Sequence, residues 1–152
     1  MEQSKASPYR SYQGGYFKTL IDPEQSDNAL ALLELTLPKG AEPPPHIHTR
    51  EDESFYVVAG KLSVQVADTT YILEPGDAIF APRGVPHSFR ILTETATILN
   101  LISPGMLWNY FIAFSAQIEG VPAMPAAPVK PPADAIRQML DTISNEYKVR
   151  FV

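Results

Sequence analysis

Gly40-Ala-Glu-Pro-Pro-Pro-His46-Ile-His48-Thr-Arg-Glu51-Asp-Glu53-Ser-Phe-Tyr-Val-Val-Ala-Gly60 is the stretch that decides how this 152-residue chain is read. Two histidines at alternate positions share one face of a strand, because successive side chains of a strand point to opposite sides. Glu53 opens the next apolar run, and by the same parity Phe55, Val57 and Ala59 fall on its side. Further along, Gly76-Asp-Ala-Ile-Phe-Ala-Pro82-Arg-Gly84-Val-Pro-His87 supplies a third imidazole. The chain holds 3 histidines, so both blocks together account for all of them.

A lone His-x-His is more often a surface pair than a ligand pair, and a lone His87 or Glu53 carries almost no information. The joint pattern is different. The five fixed residues of the first block would meet by chance on the order of 10⁻⁵ per chain of this size. Three neutral imidazoles and a carboxylate suit iron, manganese, nickel, cobalt, copper or zinc better than calcium. Glu51 shares the parity of Glu53 and is the alternative ligand; Asp52 is expected to point outward.

Around these blocks, residues 16–103 read as short apolar runs divided by turn residues, the pattern of an all-β sandwich or barrel. The runs are Tyr16–Ile21, Ala29–Leu37, Ser54–Ala59, Leu62–Val66, Tyr71–Leu73, Ala78–Ala81, His87–Leu92 and Thr95–Ile102. Glu74-Pro75-Gly76-Asp77 suits a type II turn, which needs a positive φ at its third residue. No helix long enough for a parallel crossover separates the runs, so antiparallel pairing is expected.

After Ser103 the pattern changes. Ser103 reads as the N-cap of a short helix with Leu107, Tyr110, Phe111 and Phe114 on one face. Val121–Ala133 carries five of the 15 prolines and reads as a linker. Asp134 reads as the cap of a second helix with Ile136, Met139, Leu140 and Ile143 in its stripe. Tyr147–Val152 alternates like a terminal strand or docking segment.

Composition narrows the function classes. A net charge of -5, with 12 basic residues thinly spread, disfavours nucleic acid as a partner, because phosphate contacts need clustered Lys and Arg. The absence of cysteine removes disulfide and thiolate chemistry. No apolar run approaches the ~18 residues of a membrane span, and the first residues lack the apolar stretch of a secretory signal. No membrane partner and a cytoplasmic location are the expectations.

The two blocks resemble the motifs of the cupin superfamily. Gly40, His46, His48, Glu53 and Gly60 match G-x5-H-x-H-x3–4-E-x6-G in full. Gly76, Pro82, Gly84 and His87 match the second motif, whose final Asn is replaced here by Ile91. The resemblance implies a jelly-roll β-barrel with short C-terminal helices, forming one domain over 1–152 with its barrel at about 16–103 and a helical extension at 104–152. It implies metal ligation by His46, His48, Glu53 and His87.

A narrower likeness is to the small single-domain quercetin 2,3-dioxygenase-like cupins. That likeness implies dioxygen-dependent cleavage of a small aromatic, flavonol-like or enol/enediol substrate, with Glu53 also serving as base. It also implies a homodimer. Phe55, Phe80, Phe89, Trp108 and Phe111 are the candidate substrate-pocket residues. A non-redox isomerase or lyase, and a non-catalytic small-ligand-binding cupin, are the competing readings of the same ligands.

Overall fold

Gly60 and Gly76, each at a positive φ, fold the strand-forming runs back on one another; a computed structural model describes residues 7–120, 122–123 and 131–152. The described residues form twelve strands: β1 (Tyr9–Tyr12), β2 (Gly15–Ile21), β3 (Ala31–Pro38), β4 (His46–His48), β5 (Asp52–Ala59), β6 (Leu62–Val66), β7 (Thr69–Leu73), β8 (Ala78–Ala81), β9 (His87–Ile91), β10 (Thr95–Ser103), β11 (Ala116–Gln117) and β12 (Val149–Phe151). Two helices, α1 (Trp108–Ala113) and α2 (Ala133–Glu146), interrupt the last three.

The strands form two antiparallel sheets, one in the order β11-β1-β2-β3-β10-β5-β8 and the other β12-β4-β9-β6-β7. This is the jelly-roll arrangement, and the apolar alternation explains it. In β10, Ala96, Ile98 and Ile102 are buried on one parity; they join Leu33, Leu35 and Val57 of the same sheet and Leu62, Val64 and Ile91 of the other in a single core. Burying one face of each sheet against the other removes apolar surface from water at about 25 cal/mol per Å².

The turn at Glu74–Asp77 has the expected form. Gly76 has φ 98°, Asp77 N–H donates to the Glu74 carbonyl at 2.9 Å, and Asp77 Oδ2 accepts from Glu74 N–H at 2.9 Å. It delivers β8 against β5 with Glu53 opposite Ala81.

Several expectations need correction. Strand β1 was not foreseen, because Tyr-Arg-Ser-Tyr carries no apolar alternation; it is held by pairing to β2 and β11. Strands β1 and β11 belong to the sheets although they lie outside 16–103, whereas β12 falls within Tyr147–Val152, where the alternation suggested a terminal strand. Ser103 does not cap the first helix: its hydroxyl donates to the Ala29 carbonyl at 2.9 Å, and a 3-10 turn over Gly105–Leu107 leads into α1. Asp134 lies inside the first turn of α2 and makes no cap hydrogen bond. Most of the linker assigned to Val121–Ala133 lies outside the described residues.

Candidate metal centre

Strand parity brings the ligand candidates together. In β4, His46 and His48 are both buried, and β9 pairs with β4 so that His87 stands directly opposite His46. In β5, burial alternates so that Glu53, Phe55 and Val57 face inward while Asp52 turns out. The loop between β8 and β9 is tied at both sides. Gly84 N–H donates to the His48 carbonyl at 2.8 Å, and Arg83 N–H donates to Asp52 Oδ1 at 2.8 Å. The Arg83 guanidinium also reaches Asp52 Oδ2 at 3.0 Å, which fixes the start of β9 and hence His87.

One ligand atom from each of His46, His48, Glu53 and His87 lies within 4.8 Å of the others, and all four residues are buried. Glu53 Oε2 stands 2.9 Å from His48 Nε2 and 2.9 Å from His87 Nε2, and His46 Nε2 stands 3.1 Å from His48 Nε2. Two ligands about 2.1 Å from one ion and at right angles are about 3.0 Å apart, so this spacing fits a shared transition-metal ion. His46 Nδ1 donates to the Pro44 carbonyl at 2.8 Å, a bond that leaves the Nε2 lone pair aimed at the centre.

The electrostatics agree with the donor set. Burial lowers the His46 pKa to about 4, with His48 adding to the effect, so this imidazole is neutral at physiological pH. Burial also works against the charge on Glu53, but the imidazoles of His48 and His87 outweigh it and hold the carboxyl well below its ordinary range. For His48, burial opposes the charged form, yet the carboxylates of Glu53 and Glu51 leave its pKa raised.

Glu51 is buried, as its parity required, but it stands apart from the cluster. Its Oε2 is 3.8 Å from His48 Nδ1, too long for a hydrogen bond, and neither atom has another partner among the described residues. Asn100, not foreseen as a site residue, is joined to the cluster: its Nδ2 donates to Glu53 Oε1 at 3.0 Å. The signal was present in the sequence, since Asn100 is the one polar residue on the buried parity of β10.

Of the aromatic candidates, Phe55 lies beside the cluster, with its ring 6.1 Å from that of His87 and 5.9 Å from that of Phe89. Phe111 is buried against Phe17 and Tyr12 in the same core. Trp108 Nε1 donates to Thr19 Oγ1 at 3.0 Å. Phe80 must be corrected. It is 57% exposed, because the register that turns Ala81 inward puts its neighbour on the outer face beside Ser54.

Residues 33–102 match the Cupin domain family. This part of the chain is a cupin domain. The cupin is 31% identical over 118 residues to a germin-like protein of Oryza sativa, covering 68% of this chain and 52% of that protein. It is 24% identical over 97 residues to quercetin 2,3-dioxygenase of Bacillus subtilis, covering 64% of this chain and 29% of the dioxygenase. The chain thus spans about half of the first relative and under a third of the second. Among solved structures, KdgF from Halomonas sp. is similar, with a TM-score of 0.57 and 27% identity, covering 64% of this chain and 86% of that one. Within the described residues no helix is long and apolar enough to cross a membrane.

Proposed function

We propose that this cupin is a metal-dependent dioxygenase that cleaves a small aromatic, flavonol-like or enol/enediol substrate. The carrying observation is the convergence of the buried side chains of His46, His48, Glu53 and His87 within 4.8 Å. The likeness to the Bacillus dioxygenase supports the choice of reaction. A bound divalent metal supplies a Lewis acid that lowers the pKa of a substrate hydroxyl and a centre at which dioxygen chemistry can occur.

This chain's own residues supply the rest. Glu53 is held ionised and is anchored through Oε1 by Asn100, so Oε2 is the oxygen that takes the substrate's hydroxyl proton. His46, His48, His87 and Glu53 would hold the ion. Phe55 and Phe89 give the centre an apolar wall that keeps water out. Phe111 and Trp108, both on α1, are the residues proposed to meet a planar substrate.

Metal analysis of protein purified without added metal, joined to oxygen uptake on the same sample, tests this reading. The expected result is one transition-metal ion per chain and substrate-dependent oxygen consumption within a panel of flavonols, β-diketones and enediols. No uptake with any of them would remove the dioxygenase assignment. Anaerobic turnover would instead assign an isomerase or lyase, and thermal stabilisation without turnover a ligand-binding cupin.

We also infer a homodimer, with the outward apolar side chains of Tyr56, Val58 and Phe80 covered by a second copy. Sedimentation of wild type and Phe80→Arg checks it: the wild type should run as a dimer and the variant as a monomer.

A further inference from the structure

His46, His48 and His87 differ in what stands behind the ring. Each turns Nε2 towards the cluster, so Nδ1 is the outer nitrogen. His46 Nδ1 is settled on the Pro44 carbonyl at 2.8 Å. His87 Nδ1 is buried and has no partner among the described residues. His48 Nδ1 has none either, but a carboxylate oxygen stands before it, Glu51 Oε2 at 3.8 Å. Glu51 is only 4% exposed, and its Oε2 is likewise shut off from solvent and without a partner among the described residues. A carboxylate is almost never buried this far unless something pairs with it. This one is turned in behind a candidate ligand ring.

The 3.8 Å separation has a chemical reading. A neutral imidazole carries one hydrogen, on Nδ1 or on Nε2. With the hydrogen on Nε2, His48 donates to Glu53 Oε2 at 2.9 Å. Nδ1 and Glu51 Oε2 are then two lone-pair atoms with nothing to draw them together. A ligand imidazole needs the other tautomer, because its Nε2 lone pair must be free for an ion. The hydrogen then sits on a buried Nδ1, where the lack of an acceptor is costly. A shift of about 0.9 Å brings Glu51 Oε2 to the ordinary bond length of about 2.9 Å.

We propose that Glu51 is the positioning residue of His48: its carboxylate accepts the Nδ1 hydrogen, selects the tautomer whose Nε2 lone pair faces the cluster, and holds the ring in that orientation. Glu51 acts through His48 and is not itself a ligand. Outer partners of this kind carry about 10- to 100-fold in metal affinity. This inference deepens the metal-centre reading proposed above and rests on it.

Zinc(II) on the full chain is the probe, because it is diamagnetic and the 3 histidines can be followed ring by ring in nitrogen-15 spectra. Glu51→Leu discards the acceptor, whereas Glu51→Gln keeps one. By chelator competition, the zinc Kd should rise at least tenfold in Glu51→Leu and less than about threefold in Glu51→Gln. Metal-free Glu51→Leu should unfold at a urea concentration no lower than wild type, since the oxygen it loses had no partner. A parallel loss of affinity and stability would make Glu51 merely structural and overturn the proposal. A zinc Kd unchanged in Glu51→Leu would also overturn it, while leaving the metal centre standing. A wild type that binds no zinc removes the metal centre, and the role of Glu51 falls with it. Should Glu51→Leu fail to fold, the spectra of zinc-loaded wild type and Glu51→Gln decide. A His48 Nδ1 hydrogen that exchanges slowly in wild type and faster in Glu51→Gln supports the contact; its absence, or equal exchange in both, overturns it.

Discussion

Asn100 on β10 holds Glu53 on β5 by a 3.0 Å hydrogen bond from Nδ2 to Oε1, while Oε2 of the same carboxylate faces His48 and His87. The two oxygens of one side chain are thereby assigned different partners. Outer groups that orient a ligand carry about 10- to 100-fold in metal affinity. Asn100→Leu keeps the volume and discards Oδ1, which has no partner. Glu53 Oε1 then loses its buried donor, so the folded apo-protein should lose about 1–3 kcal/mol. Metal affinity should fall at least tenfold, measured by competition with a chromophoric chelator.

Replacing His46, His48, His87 or Glu53 by Ala, one at a time, should cut metal content from one ion per chain to a small fraction of that. Circular dichroism should retain the β signature, because these side chains are not the apolar core. Glu51→Gln is the internal comparison, and its metal content should stay near wild type. Equal loss in Glu51→Gln and Glu53→Ala would mean that both carboxylates are ligands.

The tyrosines give an alkaline signature. An unfolded phenol titrates near 10, whereas burial pushes Tyr110 up to about 12 and Tyr12 well above its ordinary value. A raised folded pKa contributes stability that is fully present below the unfolded value and is lost as pH climbs through the folded one. The urea midpoint should therefore decline from about pH 10 towards pH 12. In Tyr110→Phe that decline should be shallower, and a decline of unchanged steepness would contradict the assignment.

Two glycines separate crowding from backbone strain. Gly60 has φ +84°, and an added Cβ would lie 2.6 Å from the Thr95 carbonyl oxygen. Gly76 has φ +98°, but an added Cβ there meets nothing within 4 Å. Gly76→Ala should cost about 1–2 kcal/mol from the left-handed backbone alone. Gly60→Ala adds a clash with main chain and should cost roughly 2–4 kcal/mol. Equilibrium denaturation of both variants checks the order.

Val149 is buried and sits directly across from His48 in the β4–β12 ladder. Val149→Ala should destabilise by about 2 kcal/mol through the cavity it leaves. Because β12 flanks the ligand strand, the same variant should bind metal more weakly, whereas a comparable truncation at Val64, on β6, should affect stability alone.

Strand parity and turn chemistry made much of this molecule legible beforehand. Leu62–Val66 and Ala78–Ala81 were read to the residue, and the pairing of His46 with His48 followed from alternation alone. Phe80 was misplaced because an apolar residue on a short strand reads as inward, and only the register set by the Glu74–Asp77 turn shows which parity faces the core. Strand β1 escaped because its residues pair through backbone rather than through an apolar stripe. Asn100 escaped because a single amide gains its meaning from the strand beside it, and the sequence does not say which strand that is.

The flank of β4 has a consequence for how the protein is made. Thr49 Oγ1 donates to the Lys148 carbonyl at 2.5 Å across 99 positions of chain, and β12 beside it completes the sheet edge next to His46 and His48. During synthesis those imidazoles leave the ribosome long before their neighbouring strand exists. The nascent polypeptide carries the candidate ligand strand with one edge bare until translation has passed Phe151.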